Sequence, residues 1–65
     1  MLEKGDIWRW TLCSKDHPND PTYNIFLVTE IDRWAVTVLY LADNTKVRYN
    51  EETFRVHKDY LIKVG

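Results

Sequence analysis

Aromatic side chains are the groups in this sequence whose type and spacing could do chemistry. The chain contains three Trp, four Tyr and two Phe among 65 residues, and many recur at alternate positions. Aromatic faces stack on nucleobases, hold quaternary ammonium groups and anchor protein partners, especially beside arginine. The predicted binding surface therefore combines both residue types: Trp8, Arg9, Trp10, Tyr23, Arg33, Trp34, Tyr40, Arg48 and Tyr49.

Cysteine and histidine offer little for metal binding or nucleophilic catalysis. The sequence holds one Cys and two His, at Cys13, His17 and His57, whereas a structural zinc site uses four ligands that commonly come in close pairs. We interpret Cys13 as a small, partly buried apolar residue and His17 as a loop residue. No metal is predicted.

Acid–base and phosphate chemistry also lack their usual residues. Glu51-Glu52 has no apolar setting that would separate the two pKa values, as general acid–base catalysis requires. Gly5 and Gly65 are the only glycines, so a glycine-rich phosphate loop is absent. The sequence predicts a non-enzyme without a cofactor.

Length and composition predict a single small domain. A chain of 65 residues buries only about 60% of the surface that it exposes when unfolded. One cysteine rules out an internal disulfide, and it fits a reducing compartment. Neither a signal peptide nor a run of about 20 apolar residues is evident. We expect a cytoplasmic protein that does not contact membranes.

Charge is nearly balanced but unevenly distributed. The net charge is −1; residues 1–32 carry three basic and six acidic groups (−3), and residues 33–65 carry six basic and four acidic groups (+2). Binding to duplex DNA needs many phosphate contacts, and this balance argues against it. A small basic patch for a nucleotide or a single strand stays open.

Alternating apolar residues predict five short strands. A polar loop over Ser14–Thr22 separates the first two, and Asn50 is a candidate cap for one helical turn before a loop or 3₁₀ turn. The third strand is apolar on both faces, which is typical of a central strand or of one half covered by a partner. The predicted strands span residues 7–13, 23–31, 34–41, 45–50 and 61–64.

The order of these elements resembles the SH3-like and Tudor-like small barrels. The matching segments are Gly5-Asp6-Ile7-Trp8, Val36-Thr37-Val38-Leu39-Tyr40 with Asp43-Asn44, and Tyr60-Leu61-Ile62. The resemblance implies an all-β, five-stranded SH3-like barrel with a long first loop and a short helical or 3₁₀ turn before the last strand. Tudor-like barrels imply an aromatic cage, for which this sequence shows no clear set of positions.

Three functions follow as hypotheses. The first is a binding module, an adaptor or inhibitor that engages a protein partner through the aromatic–basic surface. The second is binding of a nucleotide or single-stranded nucleic acid, including sequestration of a nucleotide signal. The third is a structural homo-oligomer. The compact, aromatic-rich chain also resembles small proteins of phages and mobile elements, which implies the host cytoplasm. We expect at least one tryptophan to be partly exposed.

Overall fold

Five antiparallel strands form one sheet in the computed structural model, which describes residues 2–11 and 21–65. The sheet order is β4-β3-β2-β1-β5. This arrangement confirms the predicted small all-β, barrel-like fold, including the helical and 3₁₀ turns before the last strand. The elements are β1 (Ile7–Trp10), a 3₁₀ turn (Pro21–Asn24), β2 (Ile25–Ile31), β3 (Ala35–Tyr40), β4 (Thr45–Asn50), α1 (Glu51–Val56), a second 3₁₀ turn (Lys58–Tyr60) and β5 (Leu61–Lys63).

The first half of the chain departs most from the predicted boundaries. The predicted second strand begins at Tyr23, but Tyr23 and Asn24 belong to a 3₁₀ turn. Pro21 opens that turn, and the fixed φ of proline suits the start of a helical segment. Leu12, Cys13 and most of the predicted loop Ser14–Thr22 lie outside the described residues.

The core lies on one face of the sheet. Alternation along β2 and β3 directs Phe26, Val28, Val36 and Val38 to this face, and all four are buried. Phe54 of α1, which is 1% exposed, packs against these four side chains on the core face of the sheet. The short helix therefore supplies the second layer that a single sheet needs to bury an apolar face.

Two asparagines set the turns that follow β3 and β4. Asn44 has a φ of 60°, in the left-handed region that Asn tolerates, and its amide donates to the Tyr40 carbonyl at 2.9 Å. Asn50 caps α1, because its side chain accepts from the Glu52 amide at 3.0 Å. The predicted cap is confirmed, and the helix runs six residues rather than one turn.

Candidate functional site

Three of the predicted site residues meet over the core. The Trp10 ring stacks on Phe54, with centroids 5.5 Å apart and an interplanar angle of 11°. Trp10 Nε1 donates to the Tyr40 hydroxyl at 3.0 Å, and the Tyr40 and Tyr49 hydroxyls are 2.5 Å apart. All three rings are half-buried against the core. Their polar atoms form hydrogen bonds with one another, so the role of this cluster is chiefly structural.

Burial changes the pKa of the Tyr40 hydroxyl. Desolvation, followed by the Tyr49 hydroxyl, raises the pKa of Tyr40 far above its ordinary value of 10.0. A pKa that is higher in the folded than in the unfolded protein contributes stability below the unfolded pKa. That contribution is lost as the pH rises from about 10 through the folded pKa.

We predict that the free energy of unfolding falls as the pH rises above about 10, and that Tyr40→Phe flattens this decline. The measurement is urea unfolding of both proteins from about pH 8 to pH 11. Tyr60→Phe, at an exposed tyrosine, is the control and keeps the decline of the parent. Equal pH slopes for the parent and Tyr40→Phe would contradict the assignment.

Trp8 and Tyr23 also lie within the folded body. Trp8 is half-buried against the core, and its Nε1 donates to Asp6 Oδ2 at 3.4 Å. Tyr23 is half-buried in the first 3₁₀ turn. Neither ring stands out from the surface as a partner-binding anchor would.

Trp34 is the exception. It is 72% exposed, which confirms that at least one tryptophan lies partly exposed. Strict alternation would group Trp34 with Val36 and Val38, but it precedes β3 and lies in the turn after β2. Its amide donates to Asp32 Oδ1 at 2.8 Å, and its carbonyl accepts from the Glu51 amide at 3.0 Å. The backbone is held on both sides while the indole projects into solvent.

Two arginines flank this tryptophan. The Arg33 guanidinium carbon lies 5.3 Å from the Trp34 ring centroid, a cation–π contact. Arg48 forms an ion pair with Asp32 Oδ2 at 3.0 Å, and the same carboxylate accepts from the Trp34 amide. We call the exposed set formed by Arg33, Trp34 and the Asp32–Arg48 pair the Trp34 surface.

Asp32 organises the Trp34 surface through its carboxylate. The amides of Trp34 and Ala35 donate to Oδ1, both at 2.8 Å. These backbone hydrogen bonds, more than the Arg48 charge, lower the pKa of Asp32 below its ordinary value. The ionised form therefore contributes stability above the unfolded pKa of about 4, which is lost as the pH falls through the lower folded pKa.

Substitution of Asp32 is expected to separate its two roles. Asp32→Asn keeps a side-chain acceptor for the turn amides but loses the charge, whereas Asp32→Ala loses both. The urea midpoint at neutral pH should fall in the order parent, Asp32→Asn, Asp32→Ala. The gap between the parent and Asp32→Asn should narrow in acid. A midpoint of Asp32→Ala equal to that of the parent would contradict this role.

The nine predicted residues thus do not form one surface. Arg33, Trp34 and Arg48 meet at the turn after β2, while Trp10, Tyr40 and Tyr49 pack over the core with Trp8 beside them. Arg9 lies opposite Ile25 and Ile62 on the other face of the sheet.

The sequence interpretation missed Asp32 as a member of the site. An Asp whose carboxylate accepts from the backbone amides two and three residues later is a recognised turn signal. The interpretation noted the reversal at this point but assigned the carboxylate no role.

Metal ligands and membrane helices were searched for in the described ranges, 2–11 and 21–65. In that part of the chain no three His, Cys, Asp or Glu side chains lie close enough together to hold a metal ion. Nor does it contain a helix with the length and hydropathy to cross a bilayer. Cys13 and His17 lie outside these ranges.

Comparison of the chain with protein-family models, with curated proteins and with solved structures finds no significant match. The resemblance to SH3-like and Tudor-like barrels therefore stays a prediction from the sequence.

Proposed function

We propose that this protein is a small, non-catalytic binding module that engages a protein partner through the Trp34 surface. The observation that carries the proposal is a tryptophan with 72% of its surface exposed on a backbone fixed by hydrogen bonds. Trp and Arg dominate the binding energy of protein interfaces, and a projecting indole fills a pocket on a partner. An adaptor or inhibitor in the cytoplasm, of the kind that phages and mobile elements encode, fits this design.

Charge favours a protein partner over a nucleotide or a single strand. Around Trp34, Arg33 and Arg48 are balanced by Glu30 and Asp32, and Arg48 already pairs with Asp32. Glu51, whose backbone amide donates to the Trp34 carbonyl, is a further acidic residue close to Trp34. Phosphate recognition calls for several uncompensated cations, and of the two arginines here only Arg33 is without an ion pair to a described residue.

The third hypothesis, a homo-oligomer, would place Trp34 in a seam between copies. The local charges do not decide against it. Sedimentation at micromolar concentration distinguishes the homo-oligomer from the module that binds another protein. The homo-oligomer predicts a dimer or larger species that Trp34→Ala dissociates. Our proposal predicts a monomer before and after the change.

The experiment for the leading proposal compares baits in a lysate of the source cells. The parent protein, Trp34→Ala and the control Val56→Ala, which alters another exposed apolar residue (64% exposed), are immobilised in parallel. We expect a protein that the parent and Val56→Ala retain and Trp34→Ala loses, with retention that survives high salt. Retention of nucleic acid instead, released steeply by salt, would overturn the proposal in favour of the second hypothesis.

A further inference from the structure

The sheet has a second face, opposite the core, that is apolar where a solvated face would be polar. Directly opposed residues of an antiparallel pair share a face, so the strand registers define which side chains meet there. Two rows cross this outer face: Ile62, Arg9, Ile25 and Leu41 in one, and Ile7, Leu27, Leu39 and Lys46 in the other.

Six of these eight side chains are aliphatic and accessible. Leu41 is 43% exposed and Ile62 is 44% exposed, and the other four are half-buried. An antiparallel sheet with one solvated face normally alternates apolar and polar residues. Here β2 and β3 are apolar on both faces, although Phe54 and α1 cover only the core face.

The charges within these two rows have one sign. Arg9 lies in one row and Lys46 ends the other, and neither forms an ion pair with another described residue. Acidic side chains are absent from the two rows, whose members all fall within the described ranges. The patch is thus an aliphatic strip with two cations that no other described residue neutralises.

Dimensions decide what shape fits the strip. Each row crosses three strand spacings, about 14 Å, and together the two rows reach from β5 to β4, four spacings or about 19 Å. The two rows lie about 7 Å apart. An α-helix is about 10 Å wide and covers about 19 Å in 13 residues. One helix laid across the strands would therefore contact both rows.

We propose that the outer face binds an amphipathic helix of a partner protein, with an apolar stripe flanked by acidic residues. The stripe packs on the aliphatic strip, and the acidic flanks meet Arg9 and Lys46. A second copy of this chain is disfavoured, because a symmetric contact would oppose like charges. Two cations are also few for binding to an anionic membrane, which commonly uses clusters of four to eight.

The centre of this site is distant from Trp34. Leu39 is five residues beyond Trp34, which is about 17 Å along an extended strand. Arg48 of the Trp34 surface lies opposite Thr37, one row along the outer face from Leu39 and Lys46. Substitution of Trp34 and substitution of Lys46 therefore test the two sites independently.

The test is a titration of the labelled protein, monitored by amide NMR shifts, with a designed helical peptide of about 18 residues. Its sequence places Leu along one stripe and Glu on both flanks; a second peptide has Lys in place of Glu. We expect the acidic peptide to shift amides of all five strands, including that of Lys46 in β4, and to bind at least about tenfold more tightly than the basic peptide. Lys46→Glu should weaken binding by about tenfold, because an attraction becomes a repulsion.

Matched variants and other ligands complete the test. Lys58→Glu makes the same charge change in the second 3₁₀ turn and should leave the affinity of the acidic peptide unchanged within about twofold. The proposal is overturned if the acidic peptide causes no outer-face shifts at about 1 mM, or if both peptides bind equally. It is also overturned if phosphatidylserine–phosphatidylcholine vesicles or raised protein concentration shift these amides and the acidic peptide does not.

Discussion

Phe54→Ala is expected to remove a large part or all of the free energy of unfolding of this domain. Phe54 is 1% exposed and its ring contacts Trp10, Phe26 and Tyr49 at centroid distances of 5.5, 6.0 and 5.3 Å. Truncation of a buried Phe costs about 3–5 kcal/mol. A domain of this length has a total stability of only about 3–10 kcal/mol, so the cavity removes a large part or all of it.

The effect of Phe54→Ala is measured by circular dichroism and by urea unfolding. Val56→Ala is the matched control, because it truncates an exposed residue of the same helix and should change the free energy of unfolding by about 0.5 kcal/mol or less. If Phe54→Ala were as stable as Val56→Ala, α1 would not be the second layer of the core.

Trp34→Ala is expected to abolish partner binding while leaving the fold intact. Loss of an interface tryptophan commonly costs about 2 kcal/mol or more, which is about 30-fold in affinity. Because the indole is 72% exposed, its removal should change the free energy of unfolding by only about 0.5 kcal/mol. Isothermal titration with the retained partner and urea unfolding give the two quantities.

Trp8→Ala makes the same substitution at a tryptophan that packs against the core, and it should show the opposite pattern. We expect it to destabilise the domain strongly, by about 3 kcal/mol. An unfolded Trp34→Ala, or a folded Trp34→Ala with the affinity of the parent, would each refute the role given to Trp34.

Local signals made the later half of the fold predictable. The predicted bounds of β4, residues 45–50, agree with the structure, because the hairpin turn at Asn44 and the cap at Asn50 both act within a few residues of the strand. The pairing of β2 with β3 and of β3 with β4 followed from the tight turns that join them, whereas β5 pairs with β1 from the other end of the chain. The all-β class therefore needed no information about distant contacts.

The candidate site was less predictable, since it depends on contacts distant in sequence. Trp10 and Tyr40 are 30 positions apart in the sequence, yet their side chains form a hydrogen bond. Phe54 of α1 packs against Trp10 and Tyr49, and strand alternation alone does not predict these contacts. Most of the predicted aromatic surplus is thereby accommodated inside the domain. Trp34 stays exposed because Asp32 and Glu51 hold its backbone in a turn, where side chains do not follow the alternation of a strand.

Fluorine NMR of the protein labelled with 5-fluorotryptophan tests the central claim most directly, because each of the three tryptophans gives its own resonance. In the free protein, the resonance that Trp34→Phe removes should show the largest shift between H₂O and D₂O. Addition of the retained partner should suppress that solvent shift and move this resonance most, while those of Trp8 and Trp10 change little. A Trp34 resonance that stays unchanged when the partner is bound would contradict the account.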